Sequence, residues 1–171
     1  ARLSAAGDLL QFSTYFGGGN ADNGEAIAVD VDGRIYVAGR NTGGLSVVNA
    51  AQPVFGGVDD GFVLRLNSAA TAYEYVTYLG GNFTDIPAAI AVDAAGRACI
   101  VGSSQSTVFP LVNPSQPLQG GATDAFYTVI ASDGSSARSG RSRSPCRERA
   151  SAVRTPGPPS GRAGRCRATP G

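Results

Sequence analysis

Few stretches of this chain combine residue types and spacing that could do chemistry. "DVDG" (30–33) sets two carboxylates one residue apart ahead of a glycine, as a calcium loop does where closely spaced oxygens converge on the ion. "GGGNAD" (17–22) and "GGNFTD" (80–85) share glycines and a final aspartate with the nonapeptide of calcium-binding β-helices. The adjacent carboxylates of "VDD" (58–60) are the closest pair for acid–base work. Cys99 offers a thiol, and nine arginines against Glu148 alone in residues 134–171 offer cations for phosphate.

What these residues do depends on the elements that hold them, and the chain writes those elements twice. "AIAVDVDGRIYVAG" (26–39) returns as "AIAVDAAGRACIVG" (89–102), an offset of 63. "STYFGGGNAD" (13–22) returns as "VTYLGGNFTD" (76–85) at the same offset. "NAAQPVFGGVDDGFVLRL" (49–66) returns as "NPSQPLQGGATDAFYTVI" (113–130) at an offset of 64, so one residue is inserted in the intervening loop. Self-similarity at a long fixed period marks repeat architectures.

Each unit is built of apolar segments of strand length bounded by Gly, Asn and Asp. The first unit has four: "AIAVD" (26–30), "RIYVAG" (34–39), "GFVLRLN" (61–67) and "AYEYVTYLG" (72–80). The second has three: "AIAVD" (89–93), "RACIVG" (97–102) and "DAFYTVIA" (124–131). "LLQFSTYFG" (9–17) matches a fourth strand whose blade precedes the first unit. The expected fold is therefore all-β, an incomplete propeller of four-stranded antiparallel blades, whose two faces are both covered by neighbours. The predicted boundaries are a closing strand and connection over 1–24, a complete blade over 25–80, a partial blade over 81–134 and a disordered basic tail over 135–171.

The repeat also acts as an internal control on the chemistry. Asp32 becomes Ala95 in the second copy, while Asp30, Gly33 and Arg34 return as Asp93, Gly96 and Arg97. A tight turn explains this better than a metal site: glycine takes positive φ and the aspartate accepts turn N–H bonds. The glycine-rich copies stand 63 residues apart rather than nine, which suits connections between blades, with Asp22 and Asp85 nearby. Asp60 returns as Asp124 at the start of the same strand, whereas Asp59 meets Thr123; a strand-capping role follows for Asp60. Cys99 lies mid-strand, where a buried inert thiol is expected. With no His and no Lys in the chain, there is no imidazole base, Schiff-base lysine or Ser-His-Asp triad. No catalytic, cofactor-binding or metal-binding residue is assigned, no cofactor is expected, and the chain is read as not an enzyme.

Composition agrees with a turn-rich β protein: 24 glycines in 171 residues. The net charge of +1 hides five arginines against twelve acids in residues 1–133. From residue 137 the fourth strand of the second unit should recur, and "ARSGRSRSPCRERA" stands there instead. So little apolar surface cannot offset ordering entropy. Pattern loss inside a blade favours a frameshift in a GC-rich gene over evolved nucleic-acid binding. Three cysteines without metal-ligand spacing give no redox or zinc signal. No apolar run is long enough to span a membrane. Ala1 is expected to be a cut within something longer, which can have removed a signal peptide.

"FSTYFGG", "AIAVDVDGRIYVAG", "YVTYLGG" and "VFPLVNPSQPLQGGATDAF" resemble the bacterial SBBP family of seven-bladed β-propeller repeats over residues 9–134. Cys99 departs from the pattern, standing where the first copy has Tyr36. The resemblance implies a propeller in a large secreted or surface-attached protein, extracellular or on the cell surface. The expected role is a structural or binding scaffold. The alternatives are an oligomeric propeller lectin or other ligand-binding module, and third a portion of a propeller-containing enzyme. Expected partners are adjacent blades of a longer parent or further copies of the chain, with any protein or glycan ligand unidentified.

Overall fold

The computed structural model describes residues 1–138. Ten strands run through them in chain order: β1 (Arg2–Leu3), β2 (Leu10–Phe12), β3 (Asp22–Val29), β4 (Ile35–Asn41), β5 (Asp60–Leu66), β6 (Tyr73–Leu79), β7 (Asp85–Val92), β8 (Ala98–Ser104), β9 (Asp124–Ile130) and β10 (Ala137–Arg138). They form a small β1–β2 sheet and two four-stranded antiparallel blades, β3-β4-β5-β6 and β7-β8-β9-β10. This is an incomplete propeller. No helix among the described residues is long and apolar enough to cross a membrane.

The central strands are rich in β-branched and aromatic residues because both of their faces are covered. In β5 six of seven residues are buried. The residues of the first blade that face the second are Tyr36, Ala38, Val63, Tyr75 and Leu79, and they share one core cluster with Ala98, Ile100, Phe126 and Ile130. A second cluster on the opposite side joins Ile35, Phe62, Leu64 and Leu66 to Phe12 and Phe16 of the N-terminal segment.

Three expectations are corrected. The strand expected over 9–17 shrinks to Leu10–Phe12 and pairs with Arg2–Leu3, because no sheet of a preceding blade lies beside it. The first strand of each blade begins at Asp22 and Asp85, four residues before the apolar stretch. A bulge between Gly24 and Ala26 lets the polar start pair with β4, and the same bulge recurs between Pro87 and Ala89. Finally, the second blade has a fourth strand: Ala137 and Arg138 pair with Ile130 and Val129, and Ala137 packs on the junction core. The rest of the expected disordered tail, from residue 139, lies outside the described residues.

Candidate functional site

At one end of the blades, "DVDG" forms the turn of a hairpin. Asp30 Oδ1 accepts the N–H of Asp32 and of Arg34, each at 2.9 Å, and Asp93 Oδ1 accepts those of Ala95 and Arg97 at the same distance. Gly33 and Gly96 take φ of +79° and +73°. Burial works against the Asp30 charge, but the Arg34 and Asp32 N–H groups, the Tyr36 hydroxyl and the Arg34 guanidinium together hold its pKa below the ordinary value. Gly33→Val is therefore expected to cost about 1 kcal/mol or more, since a β-branched residue strains at positive φ. Asp32 makes only an exposed contact to Arg34, so Asp32→Ala should leave the urea midpoint nearly unchanged. Equal midpoint shifts for the two variants would overturn the turn assignment.

The turns also reach across the junction. Tyr36 Oη sits 3.1 Å from Asp30 Oδ2 and 3.1 Å from the Gly96 carbonyl oxygen of the second blade, with one proton to donate to either. Arg65 lies beside the edge-on pair of Tyr36 and Tyr75 rings, 5.8 and 5.4 Å from their centroids, and pairs with Glu74 at 2.6 Å. Such stacked, partly buried guanidinium contacts are worth more than exposed ones.

The opposite end carries a motif that the sequence shows four times. Gly18, Gly56, Gly81 and Gly120 each donate a backbone N–H to Oδ2 of the aspartate four residues on: Asp22, Asp60, Asp85 and Asp124, at 2.7–2.9 Å. The capping role read for Asp60 and Asp124 thus extends to Asp22 and Asp85, which the repeat pattern places only near a connection. The spacing Gly-x-x-x-Asp was the available signal.

Two of these loops interlock between the blades. Asp85 N–H donates to the Asp59 carbonyl at 2.8 Å, and Asp59 and Thr84 form a parallel bridge. Asp60 and Asp85 are both fully buried here. Ser106 Oγ donates to Asp85 Oδ2 at 2.6 Å, and Gln52 Nε2 to Asp60 Oδ2 at 3.3 Å. Burial pushes the Asp60 pKa up to about 6; the Gly56 and Gly57 N–H groups oppose the rise and the charges of Asp85 and Asp59 add to it. Asp59 itself faces Arg40 at 3.7 Å. Among the described residues, no three His, Cys, Asp or Glu converge as a metal-ligand group. Cys99 is 6% exposed, the burial expected of a mid-strand cysteine.

The remaining surfaces are two blade faces that no other blade covers, the upstream one partly roofed by Phe12 and Phe16 of the N-terminal segment. The upstream face forms a hollow of about 550 Å³ lined by Ile27, Val29, Val37, Phe62 and Leu64. The downstream face forms one of about 1190 Å³ lined by Val101, Phe109, Gln116 and Tyr127. The repeat offset relates each face to the covered junction. Ile90 and Val92 pack on the junction core, while their counterparts Ile27 and Val29 are 65% and 56% exposed. Ala38 and Val63 are fully buried, while their counterparts Val101 and Tyr127 are exposed.

Residues 11–45 and 74–110 match the family model described as a beta-propeller repeat, SBBP. No curated protein matches the chain.

Proposed function

From a chain that carries two repeats of the SBBP beta-propeller family, we propose a non-catalytic scaffold whose outer faces are seats for further blades. One observation carries this reading: Ala38 and Val63 are buried against the second blade, while their repeat counterparts Val101 and Tyr127, on a face no blade covers, are exposed. Isolated apolar side chains on a surface are ordinary, whereas two hollows lined by the counterparts of core residues mark interaction surfaces. Stacking of repeats buries such faces in repeat proteins generally. The non-catalytic reading is supported by the absence of His and Lys from the sequence. The setting we propose is outside the cell or on its surface, as the family resemblance implies.

Light scattering on the purified chain tests the stacking. The wild type should self-associate, and Ile27→Asp or Val101→Asp, each placing a charge on one open face, should shift it toward smaller species. A monodisperse monomer that unfolds in one cooperative transition would overturn the reading.

A further inference from the structure

The N-terminal segment and the second blade are complementary parts of one missing structure. In the first blade, Val76, Thr77, Tyr78 and Leu79 lie opposite Leu64, Val63, Phe62 and Gly61. Gln52 fastens this strand. Its N–H donates to Thr77 Oγ1 at 2.9 Å, its carbonyl accepts from Tyr78 N–H at 3.1 Å, and its Oε1 accepts from Gly80 N–H at 3.1 Å.

In the second blade the same receptor stands ready. Gln116 Nε2 donates to the Leu118 carbonyl and Asp124 Oδ2, as Gln52 Nε2 does to the Val54 carbonyl and Asp60 Oδ2. Yet among the described residues no strand lies beyond β9 from Asp124 to Thr128. The sequence from 139 to 144, Ser-Gly-Arg-Ser-Arg-Ser, lacks the Thr-Tyr-x-Gly that Gln116 would fasten.

Residues 13–18, "STYFGG", carry that pattern, and they already hold its local shape. Thr14 Oγ1 donates to the Tyr15 carbonyl at 2.9 Å, as Thr77 Oγ1 does to Tyr78 at 3.0 Å. Tyr15 is 100% exposed, whereas its counterpart Tyr78 is 4% exposed and accepts the Leu45 N–H at 2.8 Å. The segment cannot reach β9 of its own chain. Phe16 packs on Phe62 at 4.9 Å and on Tyr73 at 5.6 Å, on the face of the first blade turned away from the second.

We propose that residues 13–18 of one copy of this chain lie along β9 of a second copy and complete its second blade. Ser13, Thr14, Tyr15 and Phe16 then stand opposite Thr128, Tyr127, Phe126 and Ala125, with Gln116 fastening Thr14, Tyr15 and Gly17. Addition of a strand to an open edge supplies main-chain bonds. The same movement brings the upstream hollow of one copy onto the downstream face of the other, a head-to-tail contact. The inference rests on the stacking of blades proposed above and adds the partner and the register.

Two variants of the full chain test it. Tyr15→Pro removes the N–H offered to Gln116 and disables the donor strand; Gln116→Leu removes the side-chain oxygen offered to Gly17 and the amide bonds to Leu118 and Asp124 that hold the receptor loop in shape. Each alone should associate at least tenfold more weakly than wild type by sedimentation, with unchanged circular dichroism. Mixed, they should form only a pair, because one intact donor then meets one intact receptor. As a second measurement, p-benzoylphenylalanine in place of Tyr15 should cross-link to residues 125–128 of a differently labelled copy. Cross-links confined to its own chain or to residues 139–171, or variants that assemble like wild type, would overturn the exchange while leaving blade stacking intact. A wild-type monomer would overturn both.

Discussion

Ile100→Ala is expected to lower the unfolding free energy by about 2–5 kcal/mol, the range for deleting a large aliphatic side chain from a packed core. Ile100 is fully buried, on the face of β8 that meets the first blade, and shares its cluster with Tyr36, Ala38 and Val63. The next residue along the strand, Val101, points to the open face and is exposed. Val101→Ala should therefore stay within about 0.5 kcal/mol, the usual range for surface changes. Urea titration followed by circular dichroism reads both, at a protein concentration where the assembly state is known. Equal losses would mean that the downstream face is already covered. A negligible loss for Ile100→Ala would mean that the blades do not depend on each other for stability.

A second large effect is expected from pH. Asp60 is fully buried and its folded pKa is about 6. Between the ordinary carboxylate pKa of about 4 and this value, the folded chain holds a proton that the unfolded chain has lost. The contribution of Asp60 to stability is therefore full below pH 4, falls as pH rises through 6, and levels above it. The fall should be on the order of 2–3 kcal/mol, because each pH interval of one between the unfolded and folded values contributes about 1.4 kcal/mol. The lowered pKa values of Asp8 and Asp133, each due first to a serine side-chain hydrogen bond, act only below pH 4, as does that of Asp30. They do not share the window. Asp60→Asn should flatten the profile between pH 4 and 7, because an amide does not ionise. A wild-type melting temperature that rises over this interval, or an unaltered fall in Asp60→Asn, would sink the assignment.

The hairpin turns were legible because their chemistry is local. Asp30 and Gly33 need only each other and the intervening N–H groups, and Asp93 and Gly96 repeat the geometry. The strand count of the first blade was legible for a related reason: its β4 and β5 are covered on both sides and carry continuous apolar runs. Strand ends were not. Asp22 and Asp85 open their strands with polar residues, and pairing across a bulge leaves no mark in an apolar pattern. The burial of Asp60 beside Asp85 was also hidden, since it arises from two loops of different blades meeting through the Asp59–Thr84 bridge. The shortness of β2 has the same origin. Its sequence matches β6, but a strand needs a neighbour, and residues 9–17 find only Arg2 and Leu3.

Each blade meets another blade on one face only, which has a consequence in time. Every ladder joins strands that follow one another in the chain, so a blade needs no later sequence to pair its own backbone. Its downstream face, however, stays bare until the next 63 residues have been made. At about 5–20 residues per second, that wait lasts roughly 3–13 s for each repeat. Hydrophobic collapse takes microseconds, so the growing chain carries one exposed apolar face through almost the whole of its synthesis. Chains emerging side by side from one message could therefore join through those faces before any of them is finished. For this protein, the spacing of ribosomes would bear on whether blades stack within a chain or between chains.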